Sequence, residues 1–161
     1  MKLVASKPTV SIADPLSIRT GSGTMEIARV SVTADIRGDV SLNALPVQIT
    51  TSGKTAQVIG PLSVQVNSSN LTIGGTINAV GLNSSTSSVI TFGDKGYVIP
   101  AGSTVTFSLV GNILMQDTSD AIVTNIGDKA NFVWGDIEGG ATSTGSYIYN
   151  YPTAVSAYAR Y

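Results

Sequence analysis

Tyr97-Val98-Ile99-Pro100-Ala101-Gly102-Ser103-Thr104 runs directly into Val105-Thr106-Phe107-Ser108-Leu109-Val110-Gly111-Asn112-Ile113-Leu114-Met115. In the second half, Val105, Phe107, Leu109, Ile113 and Met115 share one parity, and Gly111 takes the alternating position between the last apolar pairs. An α-helix would scatter these side chains around its circumference, whereas a strand sends every second residue to the same face. The stretch therefore predicts a long, half-buried strand, introduced by Pro100 and Gly102 as turn residues.

The same period extends outward in both directions. From Met25 to Ala34, Ala28, Val30, Val32 and Ala34 alternate with Ile27, Arg29, Ser31 and Thr33, which gives one small apolar face and one mostly polar face. Arg37-Gly38-Asp39 reads as a tight turn. After it, Val40 and Leu42 hold one parity while Leu45, Val47 and Ile49 hold the other, and this switch at Ala44-Leu45-Pro46 predicts a bulge or an edge-strand kink. Leu62, Val64 and Val66 alternate, Asn67-Ser68-Ser69-Asn70 closes that strand, and Leu71, Ile73 and Ile77 continue the pattern. A Gly/Asn/Ser-rich loop is expected from Gly81 to Ser88, then a short apolar run, Val89-Ile90-Thr91-Phe92. Asp117–Asp128 fits a short helical turn or a strand equally well. Ala130, Phe132 and Trp134 alternate, and Tyr147, Tyr149 and Tyr151 share a face before Pro152. Val155, Ala157 and Ala159 form a last strand. No repeat recurs at solenoid spacing.

Composition agrees with this pattern. The chain has 161 residues with 17 Val, 15 Ile and 18 Thr, β-branched types that suit a pleated sheet better than a helix. Charged residues are only 12% of the total, so solubility rests on Ser, Thr, Gly and Asn, as in many all-β extracellular proteins. The nine basic residues are scattered singly and the net charge is −1, which leaves no stripe to neutralise phosphates, so no nucleic-acid partner is expected. There is no Cys and no His. Disulfides, thiolate sites and Cys- or His-based catalysis are thereby excluded. Met1–Ala5 lacks the apolar run of an export signal, and no stretch approaches the length of a membrane span. An exported composition without an export signal suggests a mature portion of a longer secreted protein, and no membrane insertion is expected.

The run Ile99-Pro100-Ala101-Gly102-Ser103-Thr104-Val105-Thr106-Phe107, together with Glu26–Ala34 followed by Gly38-Asp39-Val40-Ser41-Leu42, resembles the immunoglobulin-like and fibronectin-like repeats of bacterial and archaeal cell-surface proteins. In those repeats such stretches form a late core strand and an early strand with its hairpin. The resemblance implies a single all-β domain over residues 1–161: an immunoglobulin-like two-sheet Greek-key β-sandwich of about 8–10 strands. Residues 1–8 are expected as an extended N-terminal arm or linker strand.

Several groups of residues carry candidate chemistry. Arg37-Gly38-Asp39 matches an integrin-recognised adhesive tripeptide, against which stands ordinary turn chemistry. Asp117 and Asp120 supply loop carboxylates that suit calcium, although no Asp-x-Asp-x-Asp array with a following Glu accompanies them and turn capping accounts for loop aspartates better. Trp134, Tyr147, Tyr149 and Tyr151 could stack sugar rings or anchor a protein interface, unless Trp134 is instead the core plug of the sandwich. Lys7 and Asn150 are the pair to inspect for a Lys–Asn cross-link. The sequons at Asn67, Asn70 and Asn83 point to exposed loops. Glu26 and Glu138 are the only glutamates and lack the pairing of a glycosidase.

The resulting expectation is a non-catalytic structural or adhesive module of a secreted or cell-surface assembly, such as a surface layer, filament or stalk. It would work through contacts with protein neighbours or copies of itself, with no cofactor beyond calcium. The competing reading is a carbohydrate-binding module that takes polysaccharide on its C-terminal aromatics, and a third is an enzyme.

Overall fold

The structure is a computed structural model; it describes residues 6–16, 21–137, 141–144, 148 and 150–161, with backbone alone for 141–144. The described strands are β1 (Thr9–Ala13), β2 (Gly21–Thr33), β3 (Val40–Ser52), β4 (Gln57–Val58), β5 (Ser63–Val66), β6 (Ser69–Asn70), β7 (Ser85–Thr91), β8 (Tyr97–Ile99), β9 (Thr104–Met115), β10 (Ala121–Ile126), β11 (Val133–Asp136), β12 (Ala141–Thr144) and β13 (Ser156–Arg160). Thirteen strands exceed the eight to ten expected, because short paired pieces such as β4 and β6 carry too few residues to show a period.

Two antiparallel sheets result. The first runs β1-β2-β9-β5-β6, with β4 also on β9; the second runs β12-β11-β3-β10-β13, with β7 and β8 on the other side of β3. Two long strands organise them. β9 is paired to β2 over nearly its whole length, as its alternation predicts, and β3 is paired along one edge to β7 and β8 and along the other to β10 and β11.

The inner faces close over Val30, Val32, Leu42, Leu45, Ile49, Leu109 and Ile113, with Phe107 and Trp134 as the largest fully buried side chains of the two sheets. Phe107 sits 5.3 Å from Phe92 and 5.2 Å from Tyr97, the latter edge-on at 81°, a favourable arrangement of ring quadrupoles.

Three local departures from simple alternation have physical causes. Ile27, placed by parity on the polar face of β2, is wholly buried, because the β2–β9 register slips between Glu26 and Ala28 and both Ile27 and Ala28 turn inward. The parity switch in β3 corresponds to a register shift against β11, where Val133 faces Ala44 but Trp134 faces Leu42, leaving Asn43 unmatched. Pro46 survives in this central strand because its carbonyl accepts from Gly127 N in the break between β10 and β11. A residue's N and O share a strand edge, so the missing Pro46 donor falls in that same break.

Two expectations are corrected. The polar stretch Ser85–Ser88 is not loop but the first half of β7, paired to Val47, Gln48, Ile49 and Thr50 of β3; an edge strand with its outer side in water needs no apolar signature. Arg37-Gly38-Asp39 is not a hairpin turn, since it lies in the connection that carries the chain from β2 in one sheet to β3 in the other. The ambiguous segment Asp117–Asp128 resolves into a turn followed by strand β10.

Candidate functional site

The two ends of the sandwich collect the polar side chains that do most of the cross-bracing. At one end, the β3–β4 connection (residues 53–56) and the β9–β10 connection (residues 116–120) both cross between the sheets, and Asp120 ties them together. Its Oδ1 accepts from Lys54 N at 2.8 Å and Thr55 N at 2.9 Å. Its Oδ2 accepts from Gln116 N at 2.9 Å, Asp117 N at 3.0 Å and the Thr55 hydroxyl. Asp120 is 2% exposed. Burial pushes its carboxyl up, but the hydrogen bonds from Thr55, Asp117 and Gln116 outweigh it and hold the group well below the ordinary carboxylate value. Gly53 is required beside it, with φ of +117° and a position where a Cβ would lie 2.4 Å from Asp120 Oδ1.

Asp117 is brought next to Asp120, as the calcium reading requires, and the oxygens of both already have partners within the protein. Its Oδ1 accepts from Ser119 N and Oγ at 3.0 and 2.7 Å, and its Oδ2 pairs with Lys54 Nζ at 3.0 Å. Those contacts to Ser119 and then Lys54 lower its carboxyl to about 2. Both carboxylates thus face N–H and O–H donors and a lysine ammonium, the environment of a filled anion, whereas a calcium site needs oxygens free to converge on a cation. Among the described residues no group of three or more acidic side chains is placed to hold a metal.

The opposite end is built around the β2–β3 connection. Asp35 caps it, accepting from Arg37 N at 3.0 Å. Gly38 is buried, and Asp39 Oδ1 accepts from Ala101 N at 2.8 Å, which ties this crossing to the turn before β9. An adhesive tripeptide needs its carboxylate projecting from a loop tip. Here Arg37 projects while Asp39 is bound to the protein, which removes the basis for the adhesive reading.

The aromatic platform is also corrected. Trp134 is 0% exposed and fills the core under the second sheet, so it offers no ring face to a sugar. Tyr151 is 8% exposed, packs edge-on to Phe132 at 5.7 Å and donates its hydroxyl to Gly127 O at 3.0 Å; burial, then nearby Asp128, pushes its phenol up. Tyr147 and Tyr149 lie outside the described residues. Tyr151 does border a groove of about 360 Å³ between Val10–Ile12 of β1 and the segment Asn150–Val155. Lys7 and Asn150 are both exposed, without the apolar shielding that a Lys–Asn cross-link reaction would need.

One arrangement escaped the sequence reading. Asp14, just past β1, reaches across the sheets to accept from Tyr158 N of β13 at 2.7 Å. The segment that carries it is anchored on β2, where Arg29 Nε donates to Asp14 O at 3.0 Å and Glu26 Oε1 accepts from Leu16 N at 3.0 Å. Glu26 and Arg29 pair with each other at 3.4 Å. Partners so distant in sequence carry no spacing signal.

No protein-family model and no curated protein matches the sequence. Among solved structures, the chain is similar to AvmM, described as catalysing macrocyclization in alchivemycin A biosynthesis, at 11% identity and a TM-score of 0.33 over 93% of this chain and 83% of that one. It is also similar to a sugar phosphate isomerase of the cupin superfamily from Silicibacter pomeroyi, at 10% identity and a TM-score of 0.16 over 89% and 94% of the two chains. At those scores neither likeness carries an argument about fold family or chemistry.

Proposed function

We propose that the chain is a non-catalytic, immunoglobulin-like structural module of an extended cell-surface assembly, joined end to end with protein neighbours or further copies. The observation that carries this reading is that Ser6 and Tyr161 lie at opposite ends of the sandwich. Ser6 lies beside Asp35 O, at the end where β2 crosses to β3, and Tyr161 N donates to Asp120 O at the other end. With β2 spanning 13 residues between them, the two points are about 40 Å apart along the strands. Successive modules joined this way would stack lengthwise.

Strand pairing supports the immunoglobulin-like part. The neighbours β1-β2-β9-β5 and β3-β10-β13 follow the A-B-E-D and C-F-G pairings of that fold. The departures are that β7 and β8, which lie against β3, come after β4–β6 in the chain rather than before them, and that β11 and β12 intervene between β10 and β13. The lack of His and Cys supports a role without catalysis.

A tandem of two full chains in solution scattering tests the reading. A maximum dimension near twice that of one chain, about 80 Å or more, is expected, together with concentration-dependent elongated particles by electron microscopy. A tandem no longer than a single chain, and monomers at every concentration, would overturn it.

A further inference from the structure

We infer that the fold is built to carry tension between its two ends, with Asp14 as the clamp between its first and last strands. This rests on the end-to-end reading above, and its geometry comes from strand direction. β1 enters beside Asp35 and runs away from that end, Thr9 facing Thr33 and Ala13 facing Arg29. β13 runs the same way and leaves at the Asp120 end, Ser156 facing Asn125 and Arg160 facing Ala121. β13 also packs beside β1 and β2, so the first and last strands lie close and run parallel on opposite sheets.

Tension pulls Ser6 out of one end and Tyr161 out of the other, which drives β1 and β13 past each other along their own axes. The β1–β2 and β10–β13 ladders, five register pairs each, are then loaded in shear, and all their hydrogen bonds must give together. A ladder pulled from one end and perpendicular to its strands gives one rung at a time. The hydrogen bond from Tyr158 N to Asp14 Oδ1, 2.7 Å long, joins the two strands that this load separates. The bond is exposed to solvent, so its carboxylate acceptor and its place between the two loaded strands, not burial, give it its role. Arg29 and Glu26 of β2 hold the Asp14 segment in place, so load reaching β13 passes through Asp14 to the longest ladder of the first sheet.

The chain has no cysteine, so handles can be attached at introduced thiols for single-molecule pulling of the full chain. End-to-end pulling through terminal thiols is expected to need roughly twice the force of pulling between the C-terminus and Ser52→Cys, which share one end of the second sheet and peel β13 off. Asp14→Ala should raise the unfolding rate under end-to-end load roughly tenfold, with little change in the peeling direction. Asp14→Asn, which keeps an acceptor, should fall between, and Asp94→Ala, in the exposed turn before β8, should change neither. Equal forces in the two directions, or an Asp14→Ala effect of the same size in both, overturns the clamp. Neither result bears on whether tandem chains extend, which the scattering measurement decides separately.

Discussion

Replacing Asp120 by alanine should loosen both crossings at one end of the sandwich at once. The substitution removes the acceptor of five hydrogen bonds, from Lys54 N, Thr55 N, Gln116 N, Asp117 N and the Thr55 hydroxyl. Gln116 N keeps Thr55 Oγ1 at 2.9 Å, and donors nearest the exposed Lys54 and Gln116 side chains can turn to water. If two donors stay dry at about 1–3 kcal/mol each, the loss centres on about 4 kcal/mol. For a chain of this size that lowers the melting temperature by about 8–16 °C. Trp134 is the single tryptophan and wholly buried, so its fluorescence in urea reports the transition. Asp120→Asn keeps the shape but turns an NH2 toward donors, so it should lose more than half as much. The pH dependence has a definite sign. The folded-state carboxyl lies below the ordinary value of 3.8, so its contribution is full above that value and declines as pH falls through and below it. The wild type should lose stability progressively below about pH 4, and Asp120→Ala should show a shallower acid limb. A loss under about 1 kcal/mol, or an unchanged acid limb, would refute the reasoning that Asp120 holds the crossings.

Three further outcomes follow from the core and its turns. Thr124 Oγ1 is buried without a hydrogen-bond partner, so Thr124→Val should raise stability by about 1 kcal/mol, seen as a higher urea midpoint; a decrease would mean that the hydroxyl is satisfied. Gly53→Ala must place a Cβ 2.7 Å from the Asp120 Cα at a φ of +117°, and should cost at least about 1–3 kcal/mol in thermal unfolding. Phe107→Ala removes the ring between Phe92 and Tyr97 and should cost about 3–5 kcal/mol by urea unfolding.

Where side chains obey a strict period, the sequence shows the fold plainly. β9 and the second half of β2 emerge where their parity predicts, because each has one face on the core and one in water. Legibility fails where that contrast is missing. β7 opens on Ser85-Thr86-Ser87-Ser88, which alternate nothing, yet backbone pairing to β3 makes it a strand. Ile27 breaks parity because a register slip is a property of two strands together, and the partner of β2 lies some 80 residues further along the chain. The candidate sites fared worse for a related reason. Trp134, Asp39 and Asp120 have side chains that could serve a ligand, whereas each is already engaged or enclosed by residues distant in sequence, and the linear order of the chain shows none of those partners.

That pattern explains how a sandwich without disulfides closes its corners. The loop aspartates divide by the reach of their hydrogen bonds. Asp35 and Asp128 cap turns two residues away, the ordinary local use. Asp39, Asp120 and Asp14 accept from backbone groups 62, 65 and 144 residues distant; the first two brace the ends of the β3–β8 and β3–β10 ladders, and Asp14 joins two strands that no ladder connects. Asp39 binds the β2–β3 crossing to the turn before β9, Asp120 binds the β3–β4 crossing to the β9–β10 crossing, and Asp14 binds the first strand's end to the last strand. Such bonds tie distant segments together as a disulfide does, but they stabilise the folded state only and leave the unfolded chain unconstrained. Asp120, the most buried of the three, draws five donors and is the corner at which acid and mutation should act first.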